Sequence, residues 1–243
     1  MNEVVRHLRA HRSIRKYQDS PLTDEQIHAA VVAGQAASTS SAVQAYTLMQ
    51  ITDPSKLERL VELTGGQSKV AHCGAFFVVC GDMRRHELLC QRQGQPFEVS
   101  LETFIVAVVD ASLFAQNVCV AFESMGLGIC YIGGLRNDLD EVDELLDLPT
   151  GVLPLYGLCV GEPAERPSAR PRLPAELIWC RDHYPTDDEV LSQIDAYDTQ
   201  YQSYMEARGA AAVSWSMRMV GQHAQARRVA LAHYYRTKGV KLS

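Results

Sequence analysis

Between residues 11 and 15 the chain reads His-Arg-Ser-Ile-Arg, which puts three cationic or titratable side chains and a hydroxyl into one short segment of an acidic protein. Arginine offers a planar fork matched to phosphate oxygens, serine adds a short donor, and the single isoleucine is an apolar anchor for the segment. In an extended run Arg12 and Arg15 point in different directions, one toward a phosphate and the other toward a second acceptor. A solvated basic loop after a short N-terminal helix is the competing reading. A second basic pair, Arg170 and Arg172, straddles Pro171 within 163–174, a stretch that holds four of the ten prolines. Proline at that density makes an extended connection, in which residues two apart face the same way, so both guanidinium groups can meet one anion. A plain linker is the alternative there.

The elements that must carry these groups are marked by their ends. Thr23-Asp24-Glu25-Gln26 and Thr186-Asp187-Asp188-Glu189 are capping boxes, Asp53-Pro54 joins an N-cap to proline at the first helical position, and Asp138 with Glu141 offers a further cap. Helices therefore begin near 24, 54, 100, 139 and 187. β-rich runs lie between them at Tyr46–Ile51, Ala75–Cys80, Gly128–Ile132 and Leu153–Val160. The stretch from Ser100 to Met125 is apolar almost all round, but Glu102, Asp110, Gln116, Asn117 and Glu123 interrupt it, and mid-span carboxylates are costly in a lone membrane helix. It reads as a helix buried on nearly every side, with Ser100 as N-cap and Gly126 as its stop. A helix of that kind calls for a second subunit to cover it. Tyr197, Tyr201 and Tyr204 fall at helical spacing and are expected to pack.

Composition narrows the function. With 243 residues, 47% hydrophobic and 21% charged, the chain is an ordinary globular one, read as a single domain over 1–243 with 187–243 as a helical extension. A net charge of −6 argues against nucleic-acid binding. Seven cysteines stand singly, mostly inside apolar runs, without a Cys-x-x-Cys pair, so no zinc site or disulfide framework is expected. Together with a start that lacks a signal-peptide core, this points to the cytoplasm, with no membrane partner. No GxGxxG turn is present, which disfavours a Rossmann domain.

His11-Arg12-Ser13-Ile14-Arg15-Lys16-Tyr17, then Ala37–Gln44, Leu63–Gln67, Gly128–Asn137 and Arg170–Pro174, in that order, resemble the FMN-dependent nitroreductase superfamily. Within it they are most similar to the oxygen-insensitive NADPH nitroreductases of the major, A type and the NADPH-flavin oxidoreductases. The resemblance implies an α+β fold, a central mostly antiparallel sheet flanked by helices in three α/β/α layers, and an intertwined homodimer. It also implies FMN as cofactor and NADPH, with NADH possible, as hydride donor.

Site residues follow residue by residue from that resemblance. His11, Arg12 and Ser13, with Arg170 and Arg172, hold the phosphate and ribityl chain. Arg15 lies beside N1 and O2 of the ring, where negative charge gathers on reduction, and is the residue named catalytic. Tyr131, Ile132, Gly133 and Gly134 bring backbone close to the ring, since two glycines remove the Cβ clash. Gln67, after the Gly65-Gly66 turn, donates and accepts at the pyrimidine edge. Thr39, Ser40 and Ser41 resemble the hydroxyl-rich loop that reaches the flavin from the second subunit, or else form a simple Ser-rich turn. Arg208 is the candidate for the 2′-phosphate of NADPH. No metal site is implied, and no catalytic histidine: His72, His86 and His223 are surface or structural.

This chain departs from the pattern at three places. Arg170-Pro171-Arg172 replaces the usual Lys-Pro-Arg, Ala42 stands where a large aromatic is common, and Ala210-Ala211-Ala212-Val213 replaces an arginine-bearing loop. The expected activity is two-electron, ping-pong reduction of nitroaromatics, quinones or other small electron-poor aromatic acceptors. A reductase supplying reduced FMN to another enzyme is the alternative within the class, and a non-catalytic FMN carrier or sensor the alternative outside it.

Overall fold

The computed structural model describes residues 1–242. In chain order the elements are α1 (Glu3–Arg9), α2 (Asp24–Gln35), β1 (Tyr46–Ile51), α3 (Pro54–Leu63), β2 (Ala75–Asp82), α4 (Arg84–Arg92), β3 (Val99–Ser100), α5 (Leu101–Ser124), β4 (Gly128–Ile132), α6 (Leu139–Leu146), β5 (Val152–Gly161), α7 (Ala175–Ile178), α8 (Asp187–Ala207), α9 (Trp215–His223), α10 (Leu231–Thr237) and β6 (Val240–Lys241). The chain forms two compact units, one from 1–167 together with the segment from Arg228 onward, the other Ser168–Arg227. The helical C-terminal region is thus divided at Arg228, and its last segment belongs to the first unit.

Helix starts follow the caps in the sequence. Thr23 and Thr186 form reciprocal boxes with Gln26 and Glu189, Asp53 accepts from the Ser55 and Lys56 amides, Ser100 accepts from Thr103 N, and Asp138 accepts from Glu141 N. Each bond satisfies an amide that the first helical turn leaves open.

The first unit is built on a wholly antiparallel four-stranded sheet of order β1-β2-β5-β4, while β3 and β6 form a separate parallel pair. Strand alternation divides the core in two. Phe77 and Val79 of β2 pack with Ala30 of α2 and with Ala111, Phe114, Val118 and Phe122 of α5. Their neighbours Phe76, Val78 and Cys80 face the other way, against Leu60 of α3 and Val142 and Leu146 of α6. The sheet is therefore sandwiched by helices on both faces, as expected. A third cluster ties α10 and β6 to β3 and α5 through Tyr234, Tyr235, Val240, Val99 and Ala107. There Lys238 is buried and its ammonium donates to both Asp143 carboxylate oxygens, at 2.8 and 3.0 Å, and to Leu148 O at 2.7 Å.

In one place the burial differs from expectation. α5 is not buried on nearly every side: Leu101, Ile105, Val109 and Leu113, four residues apart, are each 44–48% exposed within the single chain. The 3.6-residue repeat puts all four on one face, and the opposite face lies in the core.

In the second unit Tyr197 and Tyr201 of α8 are buried, and Tyr197 meets Trp215 of α9 edge-on with ring centroids 5.7 Å apart. Spacing that predicted packing is met by packing.

Candidate functional site

The His11–Arg15 segment is held as an extended strap beside β4. Ile14 is buried and donates its amide to Ile129 O at 2.9 Å. It fits because residue 128 is glycine: a Cβ there would fall 2.5 Å from Ile14 Cγ1. Tyr17 locks the far end, its hydroxyl donating to Ile14 O at 2.8 Å, and Ala164 N donates to Lys16 O at 2.9 Å. Glu165 accepts from the amides of Arg15 at 2.6 Å and Lys16 at 3.2 Å. With isoleucine turned inward, Arg12 and Arg15 are exposed, held lightly by backbone carbonyls of Ala10, Pro167 and Ser13. His11 is otherwise engaged: its Nδ1 lies 2.7 Å from Glu123 Oε1 of α5. These residues border a cavity of about 250 Å³ that His7, His11, Arg12, Glu123, Glu165 and Arg166 help to line.

A second group closes on the same strand from the α3 side. Gly65 and Gly66, at φ +84° and +74°, turn the chain so that Gln67 comes back against Gly134, where a Cβ would stand 2.5 Å from Gln67 Nε2 and 2.6 Å from Thr64 O. Glycine is required at 134 for that approach. Gln67 Nε2 donates to Thr64 O and its Oε1 accepts from Lys69 Nζ, both at 2.8 Å. Burial pushes the Cys130 thiol above its ordinary pKa, and the charges of Arg15 and Lys69 both pull it back down. The strap and the Gln67 turn therefore bring two cations to one buried thiol on β4. Beneath them the Cys73 thiol is held below its usual range, chiefly by its hydrogen bond with Cys159.

Tyr131 points to the other face of β4. Its hydroxyl accepts from Cys119 Sγ at 3.2 Å and donates to Gln116 Oε1 at 3.5 Å, its ring meets Tyr156 edge-on at 5.3 Å, and burial raises its phenol pKa. Ile132 is fully buried, while the chain after it turns outward through Gly133 and Gly134.

Thr39, Ser40 and Ser41 lie on a loop that bonds to α4 and α5. Ser41, Ala42 and Gln44 have φ of 46°, 58° and 54°, a left-handed conformation that is strained for residues with a Cβ. Asp110, fully buried in α5, accepts from Ser40 N at 2.9 Å and Ala45 N at 3.2 Å. His86 bonds Val43 O at 2.9 Å, and Arg85 donates to Gln44 O and Tyr46 O. Sequence reasoning passed over Asp110 and Lys69. Asp110 was visible only as one of three carboxylates that interrupt an apolar helix; Lys69 carried no signal beyond its place two residues after Gln67.

In the second unit Arg170 and Arg172 are exposed, and both act on the Tyr197 phenol, which burial raises and their charges lower. Tyr197 donates to Pro171 O at 2.8 Å, fixing the strand between the two arginines. A cavity of about 460 Å³ opens there, lined by both arginines, Arg218, Tyr197, Tyr201 and Trp215 among others. Arg208, at the end of α8, donates to Tyr204 Oη at 2.8 Å and lies over its ring. No cluster of three or more His, Cys, Asp or Glu side chains suited to a metal occurs among the described residues.

With this geometry in view, comparison with known proteins is direct. The Nitroreductase family model matches residues 8–162, and the Nitroreductase family, C-terminal domain, model matches 170–243. The chain is 42% identical over 245 residues to the FMN reductase (NADPH) of Bacillus subtilis (strain 168), covering 98% of each protein. It is 43% identical over 211 residues to the oxygen-insensitive NADPH nitroreductase of Salmonella typhimurium (strain LT2), covering 86% of this chain and 85% of that one. The solved structure of NfrA1 from B. megaterium superposes with a TM-score of 0.96 at 40% identity, covering 98% of this chain and 99% of that chain.

Proposed function

The chain belongs to the nitroreductase family, and from that premise we propose that it is an FMN-dependent enzyme that passes electrons from NADPH to nitroaromatics, quinones or similar flat electron-poor acceptors. NADPH-dependent, flavin-based reduction is what its relatives are named for. The observation that carries the reading lies at and just beyond the end of β4: the charges of Arg15 and Lys69 both act on Cys130 of that strand, and Gln67, bonded to Lys69, packs on Gly134 where only glycine fits.

Those residues fit a flavin. Arg12 and Ser13, with Arg170 and Arg172, would hold the phosphate, Gln67 the pyrimidine edge, Tyr131–Gly134 the ring, and Thr39–Ser41 would come from the second subunit. FMN, when bound, supplies hydride acceptance and return. The protein's part is electrostatic. Arg15, whose backbone is kept in place by the Ile14 anchor and the Glu165 bond to its amide, would put a positive charge where charge gathers on reduction. The exposed apolar face of α5 supports a homodimer, since a stripe of that kind seeks a partner. Seven unpaired cysteines suit a cytoplasmic, reducing compartment.

A name shared with FMN reductases favours one second reading, delivery of reduced FMN to another enzyme. Steady-state NADPH oxidation by FMN-loaded protein, with and without a nitroaromatic or quinone, separates the readings. Acceptor-dependent turnover with FMN retained supports the first, oxidation only with excess free FMN supports the second, and no sustained oxidation overturns both.

A further inference from the structure

Among the described residues Asp110 stands alone as a fully buried carboxylate whose two oxygens are both given to one loop. It sits at mid-length in α5, where a carboxylate costs desolvation that an alanine would not. Its oxygens take the amides of Ser40 and Ala45, the two ends of a span in which Ser41, Ala42 and Gln44 are all left-handed. Three such residues within four positions, none of them glycine, will not hold that shape unaided. His86 and Arg85 grip the carbonyls of Val43 and Gln44, but only Asp110 takes amides at both ends. What the clamp holds in shape is the run that carries the hydroxyls of Thr39, Ser40 and Ser41.

We propose that Asp110 is a positioning residue for flavin binding: through the amides of Ser40 and Ala45 it holds the 39–44 loop in the strained form that presents its hydroxyls to the cofactor. The inference rests on the flavin reading above. The loop has two forms, strained and relaxed, and the Asp110 bonds set the balance between them. Only the strained form binds, so apparent FMN affinity scales with its population.

This makes an unusual prediction about glycine. Asp110→Asn turns an amide N–H₂ toward at least one backbone N–H and releases the loop, so FMN binding should weaken roughly ten- to a hundredfold. Adding Gln44→Gly removes the left-handed penalty at one position, and about five- to tenfold of the lost affinity should return. Gln44→Gly alone should leave FMN affinity within about twofold, because the wild-type loop is already held.

FMN binding is read by quenching of flavin fluorescence, with hydrogen exchange at the Ser40 and Ala45 amides followed in parallel. Weakened binding with fast exchange at both amides, and recovery by glycine, support the proposal. A merely structural role for Asp110 would lower Tm but give no recovery with Gln44→Gly, and that result overturns it, as does fast exchange with unchanged FMN affinity. If the wild-type chain binds no FMN, the flavin reading itself falls, an outcome distinct from both. Should Asp110→Asn fail to fold, Ala42→Gly/Gln44→Gly on the wild-type background decides the matter. The strain predicts a Tm at or above that of the parent, and a fall of several degrees would show that the loop is not held under tension.

Discussion

Lys69 Nζ donates to Gln67 Oε1 at 2.8 Å, and this bond settles which way the Gln67 amide faces. With Oε1 toward the lysine, Nε2 is left to donate to Thr64 O, as it does at 2.8 Å. The amide keeps one free hydrogen and one free lone pair for a ligand. If the flavin binds at Gln67 as proposed, Lys69→Met should loosen FMN binding and, by removing a nearby cation, disfavour the reduced form. A tenfold loss of preference for reduced over oxidised FMN corresponds to a fall of about 30 mV in the two-electron midpoint potential. Spectroelectrochemical titration checks this, and an unchanged potential would mean that Lys69 serves the turn and not the flavin.

Arg15 and the arginines of the proline-rich stretch should separate in their effects. On the proposed reading Arg15 faces charge that appears on reduction, so Arg15→Ala should slow flavin reduction by NADPH more than it weakens FMN binding. Arg170→Ala or Arg172→Ala should do the reverse. Stopped-flow reduction of reconstituted variants, set beside their FMN dissociation constants, tests the division. Equal loss of FMN by all three, with wild-type reduction rates once loaded, would refute it.

The exposed stripe of α5 gives a prediction about assembly. Val109 lies in the middle of Leu101, Ile105, Val109 and Leu113 on the outer face, so Val109→Asp puts a carboxylate into any interface formed there. Sedimentation should show the wild type as a dimer and the variant shifted to monomer with reduced FMN content. Since the inner face of α5 is untouched, the variant's far-ultraviolet circular dichroism should match that of the wild type.

Most of the framework was legible because the signals were local. The five expected helix starts fall within a residue of the observed ones, each resting on a cap whose side-chain bond is present, and the four long strands were marked by apolar β-rich runs. α4 was not visible: Arg84–Arg92 is mostly polar and starts at Met83 without a side-chain cap, so neither pattern nor punctuation announced it. α10 lies within the stretch read as a helical extension, but β6 escaped because its reason for existing is tertiary, a patch shared with β3 and α5. The same division holds at the site. Arg15, Gln67 and Gly134 stood in recognisable runs, whereas Asp110 and Lys69 matter through contacts across 70 residues in one case and through a side chain turned back on its own loop in the other. The exposed face of α5 shows a related limit: its apolar composition told that the helix would need a second subunit as well as its own chain to cover it, but not which face the chain itself leaves open.

Lys238 illustrates how the last segment is fastened to the first unit. Its ammonium is buried, paired with Asp143 and bonded to Leu148 O. Removing one partner leaves the other charge unpaired in a partly dry site, so Lys238→Ala should destabilise the protein by about 3–5 kcal/mol. Lys238→Met with Asp143→Leu, which removes both charges, should cost much less than the single change. Chemical denaturation of the single and double variants checks both, and additivity of the two single effects would show that the pair is not coupled.

On the proposed reading the choice between NADPH and NADH turns on Arg208. Its guanidinium lies over the Tyr204 ring and donates to the Tyr204 hydroxyl at 2.8 Å, so it is held at the end of α8 and exposed to solvent. After it, Gly209 turns the chain at φ +68° and Ala210–Val213 follow, with no further guanidinium among them. A 2′-phosphate is recognised best by several charge-assisted bonds, each worth on the order of 1.5–3 kcal/mol, and this loop offers one arginine for the task. One bond of that size corresponds to roughly a ten- to hundredfold preference, so NADPH should be favoured modestly and NADH should still serve. Arg208→Ala should then bring the two kcat/KM values close together, chiefly by lowering that for NADPH. The comparison needs only steady-state rates with each donor at saturating acceptor. Strict NADPH dependence that survives Arg208→Ala would place the reading of the 2′-phosphate on other residues, and Arg228, whose guanidinium donates to Asn137 Oδ1 in the first unit, would be the next to substitute.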